Sequence, residues 1–234
     1  MKTLIAGSNG MVGSAVTRHL MVRKVLLVCG ILAALLYVGS DILAAMLYEG
    51  YSYTSQAVSE LRAIGAPTRP LLVPLLVIYT VLEIAFGLGV WGAAGRKRAL
   101  RITGVLLIGL GVVDLSAPFF PMHLGGDLRG DAMHLILTSV TVLFILLIIG
   151  FGATADGKWF RFYSFVTLLI LIVTGALAGL DAPRIAANLP TPWVGVRERI
   201  NIYGYMLWMM VLAIVLLRVQ KESLSRKGEH HDDH

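Results

Sequence analysis

The chain has 234 residues, 57% of them apolar and only 15% charged, with a mean hydropathy of +0.78 and a net charge of +6. A soluble domain is about 45–50% apolar and about 25% charged, so a soluble globule is excluded, and so is a disordered chain. What remains is an integral membrane protein, in which the lone Cys29 can form neither an intramolecular disulfide nor a paired-cysteine metal site.

The first twenty residues stand apart. A short β run, Thr3–Ala6, leads into Gly7-x-x-Gly10-x-x-Gly13 and a helical stretch to Leu20. This opening resembles the start of extended short-chain dehydrogenases and sugar-nucleotide epimerases, whose glycines let a pyrophosphate approach a helix N-terminus. A dinucleotide fold needs a βαβ unit of about 30 residues and further strands. Here an apolar span begins near residue 25, so no NAD(P) site is expected at Gly7, Gly10 and Gly13. The expectation is a fused or misread Rossmann-like fragment over 1–20. The membrane protein proper then starts at Met21, where two basic residues and an apolar run follow. A secretory signal is not expected.

Six stretches are long enough to cross about 30 Å of hydrocarbon: 25–47, 71–94, 102–122, 132–153, 161–180 and 202–219. Runs such as Leu143–Ile149 do not alternate, which favours helices over a barrel. The predicted architecture is all-α, with a six-helix transmembrane domain over 21–219 and a disordered tail over 220–234. The tail ends in His230–His234, a loose metal chelator at most.

Charge orients the spans. The N-terminus, loops 95–101 and 154–161 and the C-terminal end carry 14 of the 20 basic residues, and the opposite side carries 6. Both termini are therefore expected in the cytoplasm of a cell-membrane protein. The same bias accounts for the net charge without nucleic acid as a partner. Trp91, Trp159 and Trp193 fall at expected boundaries, as interfacial anchors do.

Ionisable groups at membrane depth are costly and call for a reason. Asp41, Glu83 and Asp114 lie within spans 1, 2 and 3. They fit either a proton- or cation-linked cavity or carboxyls held in hydrogen bonds between helices. In loop 48–70, Val58, Leu61 and Ile64 recur at three-residue spacing. That suits a short interfacial helix ended by Gly65 and Pro67, with Ser59 and Glu60 at the membrane surface as candidate catalytic residues alongside the His/Asp hairpin that follows in the chain. His123 follows span 3, and Asp131 and His134 share one face at the start of span 4. Together these three could form a zinc shell with water in the fourth position, or an acid/base pair. Asp131 also suits an N-cap. The last loop, 181–201, holds Asp181, Arg184, Arg197, Glu198, Arg199 and Asn201. Its Arg-x-Arg pair could clamp an anionic head group, the alternative being a solvated rim. Gly104, Gly109 and Gly111 in span 3, and Gly175 and Gly179 in span 5, suit close helix contact within one chain or across a homodimer.

Taken together, residues 21–218 resemble the bacterial and archaeal membrane proteins grouped as domain of unknown function 998. The resemblance is carried by Ser55, Gln56, Val58, Ser59, Glu60, Leu61, Gly65, Ala66 and Pro67, together with the hairpin of His123, Asp131 and His134. Where members often have Gly after Ser-Glu-Leu, this chain has Arg62. The resemblance implies a six-span bundle and no established activity. A weaker likeness is to membrane hydrolases that use an intramembrane Ser with Asp and His around zinc, for which Ser59, His123, Asp131 and His134 would be the counterparts. Those enzymes usually carry a late His pair, and this chain has no His between 135 and 229. The leading expectation is an outward-facing polar pocket for a small molecule or lipid head group, in a non-enzymatic role. The alternatives are a metal-assisted hydrolase using His123, Asp131 and His134, and a proton-coupled transporter using Asp41, Glu83 and Asp114. No internal repeat favours transport.

Overall fold

The computed structural model describes the backbone of residues 3–124, 131–187 and 189–232; Arg129 and the side chains of the His230–His234 tail lie outside the described residues. The helices are α1 (Thr3–Leu47), α2 (Arg69–Ala93), α3 (Arg98–Asp114), α4 (Ala132–Gly152), α5 (Lys158–Gly179), α6 (Ala182–Ala186) and α7 (Val194–Asp232). Short 3₁₀ turns cover Val58–Arg62 and Ala117–Phe119. Six segments are long and apolar enough to span a bilayer: Arg18–Leu47, Arg69–Ala93, Arg98–Phe119, Ala132–Gly152, Lys158–Ile185 and Val194–Glu222. The chain is thus an all-α, six-span membrane protein. Hydrocarbon offers the backbone no hydrogen bonds, so each segment satisfies its own as a helix.

The order of contact is α1–α2–α3–α4 on one side and α1–α7–α5 on the other, with α5 closing weakly onto α4. Helices α2 and α3 touch backbone to backbone. A Cβ on Gly104 would lie 2.7 Å from the Trp91 amide nitrogen, and one on Gly87 would lie 3.0 Å from the Gly104 carbonyl oxygen. Gly109 and Gly111 likewise face Phe144 and Ile84, and Gly175 faces Asn201, so these small residues serve contacts inside the chain. Phe86, Leu107, Trp208 and Leu212 fill the centre, fully buried. Apolar side chains of α4 and α5, among them Leu143, Phe162 and Leu169, are exposed as lipid-facing surface.

Four boundaries differ from expectation. The Thr3–Ala6 run is helical, and α1 continues unbroken from it into the first span. A lone strand there would have no partner for its backbone groups, whereas a helix satisfies them locally. Residues 220–232, expected as a disordered tail, extend α7 to Asp232; Lys221, Glu222, Leu224, Arg226 and Lys227 are good helix formers, and no proline intervenes. Finally, α7 begins at Val194 rather than near 202. The Thr54 carbonyl accepts from the Gly195 and Val196 amides at 3.0 and 3.3 Å, satisfying N–H groups that the first turn leaves open. At the end of span 3, Pro118 and Pro121 stop α3 early, leaving only the Ala117–Phe119 turn.

Candidate functional site at the loop end

The helix ends Leu47, Arg69, Asp114, Ala132, Gly179 and Val194 gather at one end of the bundle, opposite the termini. Just inside it, α1 and α7 are joined by an ion pair. Arg199 Nε donates to Asp41 Oδ2 at 2.9 Å and Arg199 Nη2 to Asp41 Oδ1 at 3.3 Å. Both residues are 3% exposed. Every remaining guanidinium direction is also used. Nη1 donates to the Tyr53 and Gly195 carbonyls at 2.6 and 3.3 Å, Nη2 donates to the Tyr51 hydroxyl at 3.0 Å, and the Tyr53 ring lies 3.5 Å from the guanidinium carbon. Tyr203, one turn along α7, donates to Asp41 Oδ2 at 2.6 Å and is itself hydrogen-bonded to the Tyr53 hydroxyl at 2.7 Å. The Arg199 of the expected loop is therefore a buried structural cation, not part of a solvated rim. Its neighbour Arg197 pairs with Asp181 at 2.6 Å near the surface. Neither arginine of the Arg-x-Arg pair is left open for a head group.

The Ser55–Pro67 segment packs over this pair as a cover. Val58 and Leu61 point inward and are buried, while Ile64 is exposed and its amide donates to the Met122 carbonyl at 2.8 Å. Gly65, at φ +90°, makes the turn that ends the segment. Glu60 folds back on its own turn, taking the Ala57 amide at 2.9 Å and the Gln56 side-chain amide at 2.7 Å. Glu198 takes the Val58 amide at 2.7 Å, fastening the segment to α7. Ser59 Oγ donates to Met122 Sδ at 3.1 Å. Tyr51 donates to the Ala57 carbonyl at 3.0 Å, and burial pushes its phenol up to about 12.

Beneath the cover, Tyr37, Ser40, Asp41, Val58, Arg62, Leu72 and Leu76 line a cleft of about 10 Å³, room for about one water. Arg62 is half-buried. The ion pairs among the described residues are Asp41–Arg199, Asp181–Arg197 and His123–Asp131, and Arg62 is in none of them. A shallow surface depression bounded by Ser55, Leu189, Pro190, Thr191 and Pro192 lies nearby.

The His/Asp hairpin is partly assembled. His123 Nδ1 lies 2.7 Å from Asp131 Oδ1, which also accepts the His123 amide at 3.0 Å. His134 turns instead to the Phe120 carbonyl, 3.3 Å away. Among the described residues no group of three His, Cys, Asp or Glu is placed to hold a metal ion.

Deeper in the bundle, Glu83 is fully buried. Its Oε1 accepts from Tyr79 and Tyr205 at 3.0 and 2.9 Å, and its Oε2 has no hydrogen-bond partner. Asp114, half-buried at the end of α3, accepts from Thr141 at 3.3 Å. Asp41 is thus separated from the other two acids in role: it belongs to the α1–α7 pair, while Glu83 meets two tyrosines and Asp114 meets Thr141.

Sequence reasoning missed the tyrosines that complete both networks. The signal available was helical spacing: Tyr79 with Glu83, and Arg199 with Tyr203, are i, i+4 pairs. Tyr51 and Tyr53 sit on an irregular loop, where no spacing rule points to them.

No curated protein and no solved structure matches the chain. A family model described as "Protein of unknown function (DUF998)" matches residues 31–215, a stretch that includes the covering segment, the buried pair and the interior acids. The chain belongs to that family.

Proposed function

We propose that this protein is a non-enzymatic membrane component whose loop end faces outward and binds an anionic phosphate group there, at the mouth of the cleft under the Ser55–Pro67 segment. The observation that carries the reading is Arg62, a half-buried guanidinium in no ion pair among the described residues, lining that cleft. A guanidinium fork matches phosphate oxygens. Val58, Leu72 and Leu76 give the cleft an apolar wall, which suits a ligand with a hydrocarbon body. The cleft admits little more than one water, so the ligand would rest at its mouth with a phosphate oxygen turned inward. The excess of basic residues at the opposite end supports the orientation.

The test is thermal unfolding of the protein in nanodiscs of phosphatidylcholine, with and without phosphatidylglycerol, and separately with inorganic phosphate. Phosphatidylglycerol should raise Tm for the wild type and not for Arg62→Gln. A shift with phosphate alone would point to a free anion instead of a lipid, and equal responses from both proteins would refute the site.

A second reading, a metal-assisted hydrolase, is favoured by one observation, the His123–Asp131 contact at 2.7 Å. It requires stoichiometric zinc that is lost on His123→Ala and His134→Ala.

A further inference from the structure

The loop-end cleft does not account for the carboxyl at the centre of the bundle. Glu83 lies about 21 Å along α2 from Arg69, at 1.5 Å per residue, near mid-span. Two neutral phenols, Tyr79 and Tyr205, converge on one of its oxygens. The other oxygen is buried and bare. A carboxylate ion so placed would have no cation to compensate it in an apolar interior. A neutral carboxyl needs none, and with Oε1 already accepting twice, its proton belongs on Oε2.

The polar surroundings of this carboxyl lie on its loop-end side. The titratable groups in contact with Glu83 are Tyr79 on its own helix and Tyr205 from α7; Gly111 of α3 packs against Thr80 and Ile84 of α2, which sets Asp114 about one helical turn nearer the loop end. Behind Tyr79 stands Tyr37 of α1, edge-on at 5.0 Å between ring centroids. Thr141 of α4 donates to Asp114 at 3.3 Å, and His134 of α4 and Arg62 of the covering segment lie farther toward the loop end. These groups lead from Glu83 toward the loop end. In the opposite direction Phe86, Val90, Leu107, Trp208 and Leu212 are all fully buried, and the indole N–H of Trp208 is taken up by Ser164 at 2.9 Å.

We infer that Glu83 is an exchangeable proton-binding site, with its acidic proton on Oε2, filled and emptied from the loop end through Asp114 and closed toward the termini. The ligand class is the proton itself. This site is distinct from the phosphate-binding cleft, and either can fail without the other.

An apolar carbodiimide reads such a site directly. The carboxyl oxygen bonds to the central carbon, the acidic proton passes to a carbodiimide nitrogen, and acyl transfer to nitrogen leaves a stable N-acylurea. The full-length protein in nanodiscs is treated with dicyclohexylcarbodiimide across a pH series, and the adduct is located by peptide mass spectrometry. The expected result is label on Glu83 that declines as pH rises and that a water-soluble carbodiimide does not reproduce. Asp114→Asn should shift the pH at which labelling declines. Because the wild-type peptide map assigns the label, the test does not depend on whether Glu83→Gln folds. Absence of label on Glu83, or labelling that does not change with pH, overturns the inference. Protection by sodium at constant pH overturns it too, and assigns the bare oxygen to a metal cation.

Discussion

Asp41 and Glu83 are both carboxyls buried on membrane helices, 3% and 0% exposed, and the fold treats them in opposite ways. Asp41 receives a guanidinium on both oxygens and a phenol besides. Glu83 receives two phenols on one oxygen and nothing on the other. Burying a charge is costly unless it is paired and its remaining lone pairs are filled. The first acid meets that condition as an ion, and the second meets it only as a neutral acid. A complete network of this kind holds helices together; an open oxygen at the same depth is where exchange can take place. The difference separates the three acids that look alike in the sequence.

The largest test of this contrast is Arg199→Ala. It leaves Asp41 with one phenol and no cation, and it also removes the donors to Tyr51 and to the Tyr53 carbonyl. Breaking a buried pair from one side costs about 3–5 kcal/mol, so folded protein in mild detergent should be nearly lost. Removing both charges, with Asp41→Asn and Arg199→Met together, should recover most of that loss, because no uncompensated ion remains. A single Arg199→Ala protein that unfolds at wild-type denaturant would break the comparison.

The two acceptor states can be compared through one hydroxyl each. Tyr203→Phe removes a 2.6 Å donor from Asp41, and hydrogen bonds to charged groups are worth about 1.5–3 kcal/mol. Tyr205→Phe removes a 2.9 Å donor from Glu83, and a neutral hydrogen bond contributes about 0.5–1.5 kcal/mol. Equilibrium unfolding of the pair should therefore rank Tyr203→Phe as the more damaging. The reverse order would mean that Glu83 carries the charge.

Much of the bundle was legible in the sequence because hydropathy and span length are enough to locate helices in a bilayer. The site was legible only in part. Asp41, Glu83 and Asp114 could be found by their depth, since any ionisable group in an apolar run is conspicuous. Arg199 could not be found that way, because its helix begins in a polar stretch that hydropathy excludes. What makes that stretch helical is a carbonyl from Thr54, far away in sequence, accepting its first amides. The covering segment was recognisable as a motif, yet its chemistry was not. Glu60, a catalytic candidate in the sequence, and Glu198 of the last loop accept backbone amides of the segment itself.

The smallest effect expected comes from the other half of the same motif. Arg197 stands two residues before Arg199 and reads alike in sequence, but that spacing turns it to a different side of α7. It meets Asp181 at 2.6 Å and the Leu177 carbonyl at 3.2 Å, with 28% of its side chain exposed. Water reaches this pair, and exposed pairs contribute about 0–1 kcal/mol, less in salt. Arg197→Ala should consequently shift the unfolding midpoint little, and the shift should shrink further as ionic strength rises. Arg199→Ala should remain severe at every salt concentration, because its partner is screened by protein and not by solvent. If both variants lost stability equally, or both recovered in salt, the distinction between the buried pair and the surface pair would collapse, and Asp41 would have to be regrouped with the open acids of the interior.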